Sequence, residues 1–166
     1  MNKQDIQLLY AYNQWSTDKI LDAASRVTPE QFLAPADFPH GGLRSTLVHA
    51  LFAEWIWRTR WEGQSPRERL KPEDFPTFEA LRARFVEESA KLNAFVENLT
   101  DEQLNSTFTY ATTDGKAREN VLWHVMAHVV NHGTQHKTEA AALLTSFGQS
   151  PGDIDLIIFL RTLAKK

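Results

Sequence analysis

The chain of 166 residues contains no cysteine. That absence excludes disulfides, thiolate metal ligands and a cysteine nucleophile, and leaves imidazole, carboxylate and amide oxygen as the only side chains able to hold a metal. No stretch approaches the ~18 consecutive apolar residues of a transmembrane helix. The opening MNKQDIQLLYAYNQW lacks the basic-then-apolar plan of a signal peptide, so a cytoplasmic protein without membrane partners is expected. Basic residues are not in excess: 18 Lys and Arg stand against 21 Asp and Glu, a formal charge of −3, with no Lys/Arg block. Nothing therefore marks a nucleic-acid or anionic-lipid surface, and small molecules are the expected partners. With 42% hydrophobic and 23% charged residues, the composition is that of a globular chain long enough for one domain, expected over 1–166.

What is present is helical periodicity. From Lys3 to Arg26, apolar residues at Ile6, Leu9, Tyr10, Tyr12, Trp15, Ile20, Leu21 and Ala24 fall at a mostly helical spacing and predict a first helix. Thr28-Pro29-Glu30-Gln31 reads as a capped helical turn, with a capping hydroxyl, proline at the first helical position and glutamine at the third. APADFPHGG, residues 34 to 42, is a loop. A second helix is expected from a cap near Ser45 or Thr46 through LVHALFAEWIWRTRW to Gly63, and a third, capped by Thr77, over FEALRARFVEESAKLNAFVENL. Residues 64 to 76 are polar, with three prolines, and read as a connection. After a further capped turn at Thr100-Asp101-Glu102-Gln103, the alternation through Phe108 and Tyr110 and the Asp114-Gly115 turn predict a small β-hairpin. A long helix then runs from about Asn120 to a C-terminal glycine, Gly148, and IDLIIFL suggests a short terminal helix. Four long helices with at most one hairpin define an all-α bundle.

The last long helix carries His124, His128, His132 and His136, one every fourth position. Neighbouring rungs lie about 40° apart around the helix and roughly 6 Å apart along it, so one pair can share an ion but all four cannot. Imidazoles at i and i+4 can both reach one metal at about 2.0–2.1 Å. A third ligand must come from elsewhere; His49, on the second helix, is better placed for this than His40 in the loop. The spacing alone does not select the pair. HExxH is absent, because valine and glycine follow His128 and His132, and no Glu-x-x-His pair of a di-iron bundle occurs. The pattern points to a mononuclear site. Glu139, seven residues after His132 and within about 20° of its direction, is a candidate catalytic base, or else a carboxylate that orients an imidazole. Glu54 is a weaker candidate.

The segment VLWHVMAHVVNHGTQHKTEAAALLTSFGQSPGDIDLIIFL, with LLYAYNQWSTDKIL and LVHALFAEWIWRTRW before it, resembles the DinB family (DinB/YfiT-like superfamily), some of whose relatives are thiol S-transferases of the bacillithiol type. The resemblance spans nearly the whole chain. It implies an up-down-down-up four-helix bundle, often dimeric, with a metal site that maps by motif onto His49, His132 and His136. On that mapping His128 and Trp55 line the pocket or support the ligands, and His124 is structural. Lys137 stands where relatives often carry arginine, which weakens any expectation of bidentate anion recognition there. The implied cofactor is one divalent transition metal per chain: zinc or nickel first, with iron, cobalt or manganese also acceptable to imidazole. The implied activity is metal-dependent chemistry on a small molecule, thiol S-transfer or hydrolysis, with a low-molecular-weight thiol among the candidate partners. The competing expectation is a non-catalytic, stress-related helical bundle whose metal is structural or vestigial.

Overall fold

A computed structural model describes residues 1–164; the last two residues of the domain expected over 1–166 lie outside the described residues. The helices are α1 (Lys3–Ala24), α2 (Pro29–Leu33), α3 (Leu43–Trp61), α4 (Phe78–Glu97), α5 (Asp101–Asn105), α6 (Leu122–Ser146) and α7 (Leu156–Leu163). A 3-10 turn at Pro72–Asp74 lies in the connection between α3 and α4. The strands β1 (Thr107–Ala111) and β2 (Ala117–Val121) pair antiparallel, with Thr109 opposite Glu119. The fold is all-α with a small hairpin before the last long helix.

The caps account for most boundaries. Asn2, Thr28 and Thr100 each accept from the backbone N–H three residues on, while the side chain at that third position caps back, the reciprocal box expected at Thr28 and Thr100. Thr77 caps α4 in the simpler way. The start of α3 differs from the expectation. It begins at Leu43 with Gly42 as cap and no side-chain hydrogen bond, because the loop closes on itself there. A Cβ on Gly42 would lie 2.0 Å from the Ala34 carbonyl oxygen, so only glycine permits the approach, and the helix starts ahead of Ser45. Strand β2 also extends to Val121, so α6 starts two residues later than Asn120.

Cross-helix contacts fix the topology. Residues 3 and 22 of α1 meet 101 and 82 near the two ends of α4, so these two helices are antiparallel. Tyr10 meets Trp61 while Asn13 meets Glu54, which makes α1 and α3 antiparallel. Arg58 meets Glu88 while Trp61 meets Phe95, so α3 and α4 run parallel, joined by the long connection. His49 faces His136 while Trp57 faces His128, so α6 runs against α3. The order is up-down-down-up.

Two apolar clusters fill the interior. One, including Ile20, Leu47, Leu51, Leu81, Phe85 and Leu144, packs towards one end; the other, including Ile6, Tyr10, Leu92, Val96 and Met126, packs towards the opposite end. Between them lies a buried polar layer of Asn13, Ser16, Thr17, Glu54, Arg58, Glu88, His136 and Lys137. Buried polar groups demand partners, and this layer is almost wholly paired. Arg58 grips Glu88 through Nε at 2.5 Å and Nη2 at 3.0 Å, and reaches Glu62 at 2.6 Å. Lys137 Nζ donates to Asn13 Oδ1 and Ser16 Oγ, both at 2.7 Å, and to the Asn13 carbonyl at 3.1 Å, while Asn13 Nδ2 donates to Glu54 at 2.7 Å. Among the described residues, no helix is long and apolar enough to cross a membrane.

Candidate metal centre

Antiparallel packing of α3 and α6 puts His49 opposite the last two rungs of the histidine ladder. Nε2 of His132 lies 3.3 Å from Nε2 of His49 and 3.1 Å from Nε2 of His136. The ring centroids of the three are 4.3 to 5.1 Å apart. On the far side of the His136 ring, Nδ1 donates to Glu139 Oε2 at 2.7 Å, one helical turn away. That bond places the proton on Nδ1 and turns a lone pair at Nε2 towards the other two histidines.

The three rings cannot satisfy one another. His132 Nε2 faces two nitrogens at once, and a single proton there could serve only one of them. Its Nδ1 is buried and has no hydrogen-bond partner among the described residues. Burial pulls His49 from the usual 6.5 to about 4, helped by its neighbours His40, His136 and His132 and opposed by Glu139. Burial, then His136, His128 and His40, takes His132 to about 4 as well. Both rings are therefore neutral near pH 7, the form that binds metals. Two imidazoles on one tetrahedral ion at about 2.0–2.1 Å have nitrogens about 3.3 Å apart, and the two measured separations fit that edge. The donor set suits a divalent transition metal.

A fourth imidazole reaches the group. His40, in the loop before α3, stacks on His49 with centroids 3.9 Å apart and planes at 15°, and meets His136 edge-on at 4.8 Å. Ligand atoms of His40, His49 and His136 all lie within 4.8 Å of one another, a trio that could hold a metal ion. Two trios thus share His49 and His136 and differ in His132 or His40. Distance alone admits both, but nitrogen lone pairs lie in the ring plane. A ring stacked parallel on His49 does not aim at the same point as His49, so the trio with His132 has the better geometry.

The other sequence candidates fall at varying distances from this cluster. His128 is exposed, its ring 5.6 Å from His132 and 5.9 Å from Trp57, so it stands at the rim. Trp57, and not Trp55, is the tryptophan against that rung; Trp55 pairs with Phe52. His124 is exposed and packs on Trp123. Glu54 lies in the polar layer, its carboxyl raised by burial against the lowering effect of Lys137 and Asn13. Lys137 points inward, away from any external anion, and burial lowers it to about 8 although Glu54 and Asp18 oppose the shift.

Two features escaped sequence reasoning. The proximity of His40 depends on loop closure, for which only the paired glycines Gly41 and Gly42 were a signal. The Asn13–Lys137–Glu54 network appeared only as polar breaks in otherwise apolar helix faces. It also fixes the glycine of the motif: a Cβ on Gly133 would lie 3.0 Å from Asn13 Oδ1, so α1 and α6 approach closely beside His132 and His136.

An up-down-down-up helical bundle with a cluster of imidazoles between two antiparallel helices defines a class of small α-helical proteins suited to one metal ion. Residues 1–164 match the model of the DinB family, and the chain belongs to that family. It is 23% identical over 166 residues to the protein DinB of Bacillus subtilis (strain 168), across 95% of each chain.

Proposed function

We propose that this is a metal-dependent enzyme acting on a small molecule, its ion held by Nε2 of His49, His132 and His136. The observation that carries the reading is the meeting of three Nε2 atoms with edges of 3.1 and 3.3 Å, together with a buried His132 nitrogen that has no hydrogen-bond partner among the described residues. Three imidazole ligands leave a coordination position open, the mark of a catalytic site. A divalent ion there supplies Lewis acidity: it lowers the pKa of bound water, polarises a carbonyl or stabilises a thiolate. Zinc and nickel are the first candidates.

The chain's own residues supply position. Glu139 holds the proton at His136 Nδ1 and so fixes the tautomer that presents Nε2; orienting this ring is its primary role. Lys137, Asn13 and Glu54 lock the rotation of α6 against α1 and α3. Trp57 and exposed His128 form the rim a small molecule meets first. The reaction classes that fit are S-transfer from a low-molecular-weight thiol and hydrolysis, in a cytoplasmic homodimer. One observation favours a second reading. His40 beside His49 and His136 supplies a fourth imidazole, and a site closed by four protein ligands would be structural in a non-catalytic bundle.

Metal analysis of protein purified without chelator, beside His49→Ala and His132→Ala, tests the proposal. Near one transition metal per chain in the parent and none in either variant is expected, followed by thiol-transfer and hydrolysis assays. Absence of metal after reconstitution with zinc and nickel would reduce the cluster to packing.

A further inference from the structure

The loop from Ala34 to Gly42 is shaped to carry one side chain over the metal centre. Its base is drawn shut by the contact of Gly42 with the Ala34 carbonyl. Near its tip the Gly41 N–H donates to the Phe38 carbonyl at 2.8 Å, and Gly41 adopts φ +92°, a conformation that favours glycine. Phe38 packs against the apolar cluster of that end. His40 lies between these anchors, and no hydrogen bond ties its ring nitrogens to the described residues. The ring stacks on His49 and meets His136 edge-on.

In this pose His40 is not a ligand. Rings that share one ion must be inclined so that their in-plane lone pairs converge, as His49 is to His132 at 50° and to His136 at 85°; His40, stacked on His49 at 3.9 Å and 15°, is too parallel to it to aim at the same point. Yet the ring is near a ligating position. Its nitrogen is within 4.8 Å of those of His49 and His136, so reaching a tetrahedral edge requires an approach of no more than about 1.5 Å, together with a turn about its own side-chain bonds.

We propose that His40 is an exchangeable fourth ligand. The centre alternates between an open state, with three imidazoles on the ion and His40 parked on the face of His49, and a closed state in which His40 fills the fourth position. An incoming monodentate donor, a small anion or a thiolate, competes with His40 for that position. The exchange reconciles the two histidine trios, and its apparent donor affinity is the intrinsic affinity reduced by the fraction of open centres. The inference rests on the metal reading above.

Cobalt(II) loading separates the two ideas. The parent chain, His40→Ala and His40→Gln are loaded with cobalt, and the metal per chain, the visible d–d spectrum and the azide affinity are measured for each. One cobalt per chain in all three is expected, with a changed spectrum in both variants and azide binding tighter than in the parent by the reciprocal of the parent's open fraction. Superimposable spectra and equal azide affinities would overturn the exchange while leaving the metal site standing. No cobalt bound by the parent would overturn the metal site and the exchange with it. Loss of cobalt in both His40 variants would make His40 an obligatory ligand and refute exchangeability.

Discussion

Replacing Glu139 by alanine removes the one group that decides where the His136 proton sits. In the native arrangement Nδ1 donates to the carboxylate at 2.7 Å, and the Glu139 side chain is 17% exposed, so water competes poorly for the bond. Without it the ring is free to carry its proton on Nε2, the atom assigned to the metal in the proposed function, and to rotate. Loss of such an outer partner weakens metal binding by about 10–100-fold, or about 1.4–2.7 kcal/mol. Glu139→Gln keeps an acceptor oxygen but not the charge, and because charged hydrogen bonds are roughly twice as strong as neutral ones, its loss should fall near the lower end. Competition with a chromophoric zinc chelator measures the affinities of the three proteins. Circular dichroism and metal-free melting should be nearly unchanged, since the pair lies within one helix at i,i+3. A zinc affinity for Glu139→Ala within twofold of the parent would refute the argument and leave the carboxylate free for another task.

Three further outcomes follow from the buried layer and its edges. Glu88→Ala leaves the Arg58 guanidinium, 5% exposed, with the exposed Glu62 as its remaining carboxylate partner and should cost about 3 kcal/mol, the lower end for a broken buried pair, read as a fall in Tm of about 6–12 °C; Arg58→Met with Glu88→Leu should recover most of it, and a double variant as unstable as the single would refute this. In metal-free protein, His49 and His132 at about 4 against 6.5 in the unfolded chain mean that the unfolded state binds more protons between those values. Stability therefore falls as pH drops from about 6.5 to 4, by about 3 kcal/mol for the pair once partial exposure roughly halves the full effect, which urea titrations at pH 7 and pH 4.5 can check. Gly133→Ala pushes a methyl against Asn13 Oδ1 and should cost about 1–3 kcal/mol, with weakened zinc binding because the displaced turn carries His132 and His136.

Most of the fold was legible because it is written locally. Caps at Thr28, Thr77 and Thr100 and the glycine after α6 mark helix ends by chemistry confined to four or five residues, and apolar spacing marks the faces. Where the chain closes on itself, local signals failed: a hydroxyl at Ser45 looked like the cap of α3, but the Ala34–Gly42 contact set the start. The ladder marked α6 as a place where imidazoles could share an ion through i,i+4 geometry, yet which rungs meet His49 depends on which turn of α6 faces it, a property of helix pairing. His40 and Lys137 were harder still. A loop histidine and a lysine after the last rung of the ladder have no local mark, and their positions follow from loop closure and from the partner Asn13 on another helix.

The polar layer between the two apolar clusters has a consequence for how the site is assembled. Sliding α6 by one turn, about 5.4 Å, would take Lys137 from Asn13 and Ser16 and bury its ammonium against hydrocarbon, and the same slip in α3 would part Arg58 from Glu88. Neither error can be repaired by the indifferent leucines above and below. The layer works like the notches of a key, rejecting every alignment of the helices but one, and in that alignment His49 stands opposite His132. The imidazoles are thus gathered by the folding of the chain itself, before any ion is there to gather them.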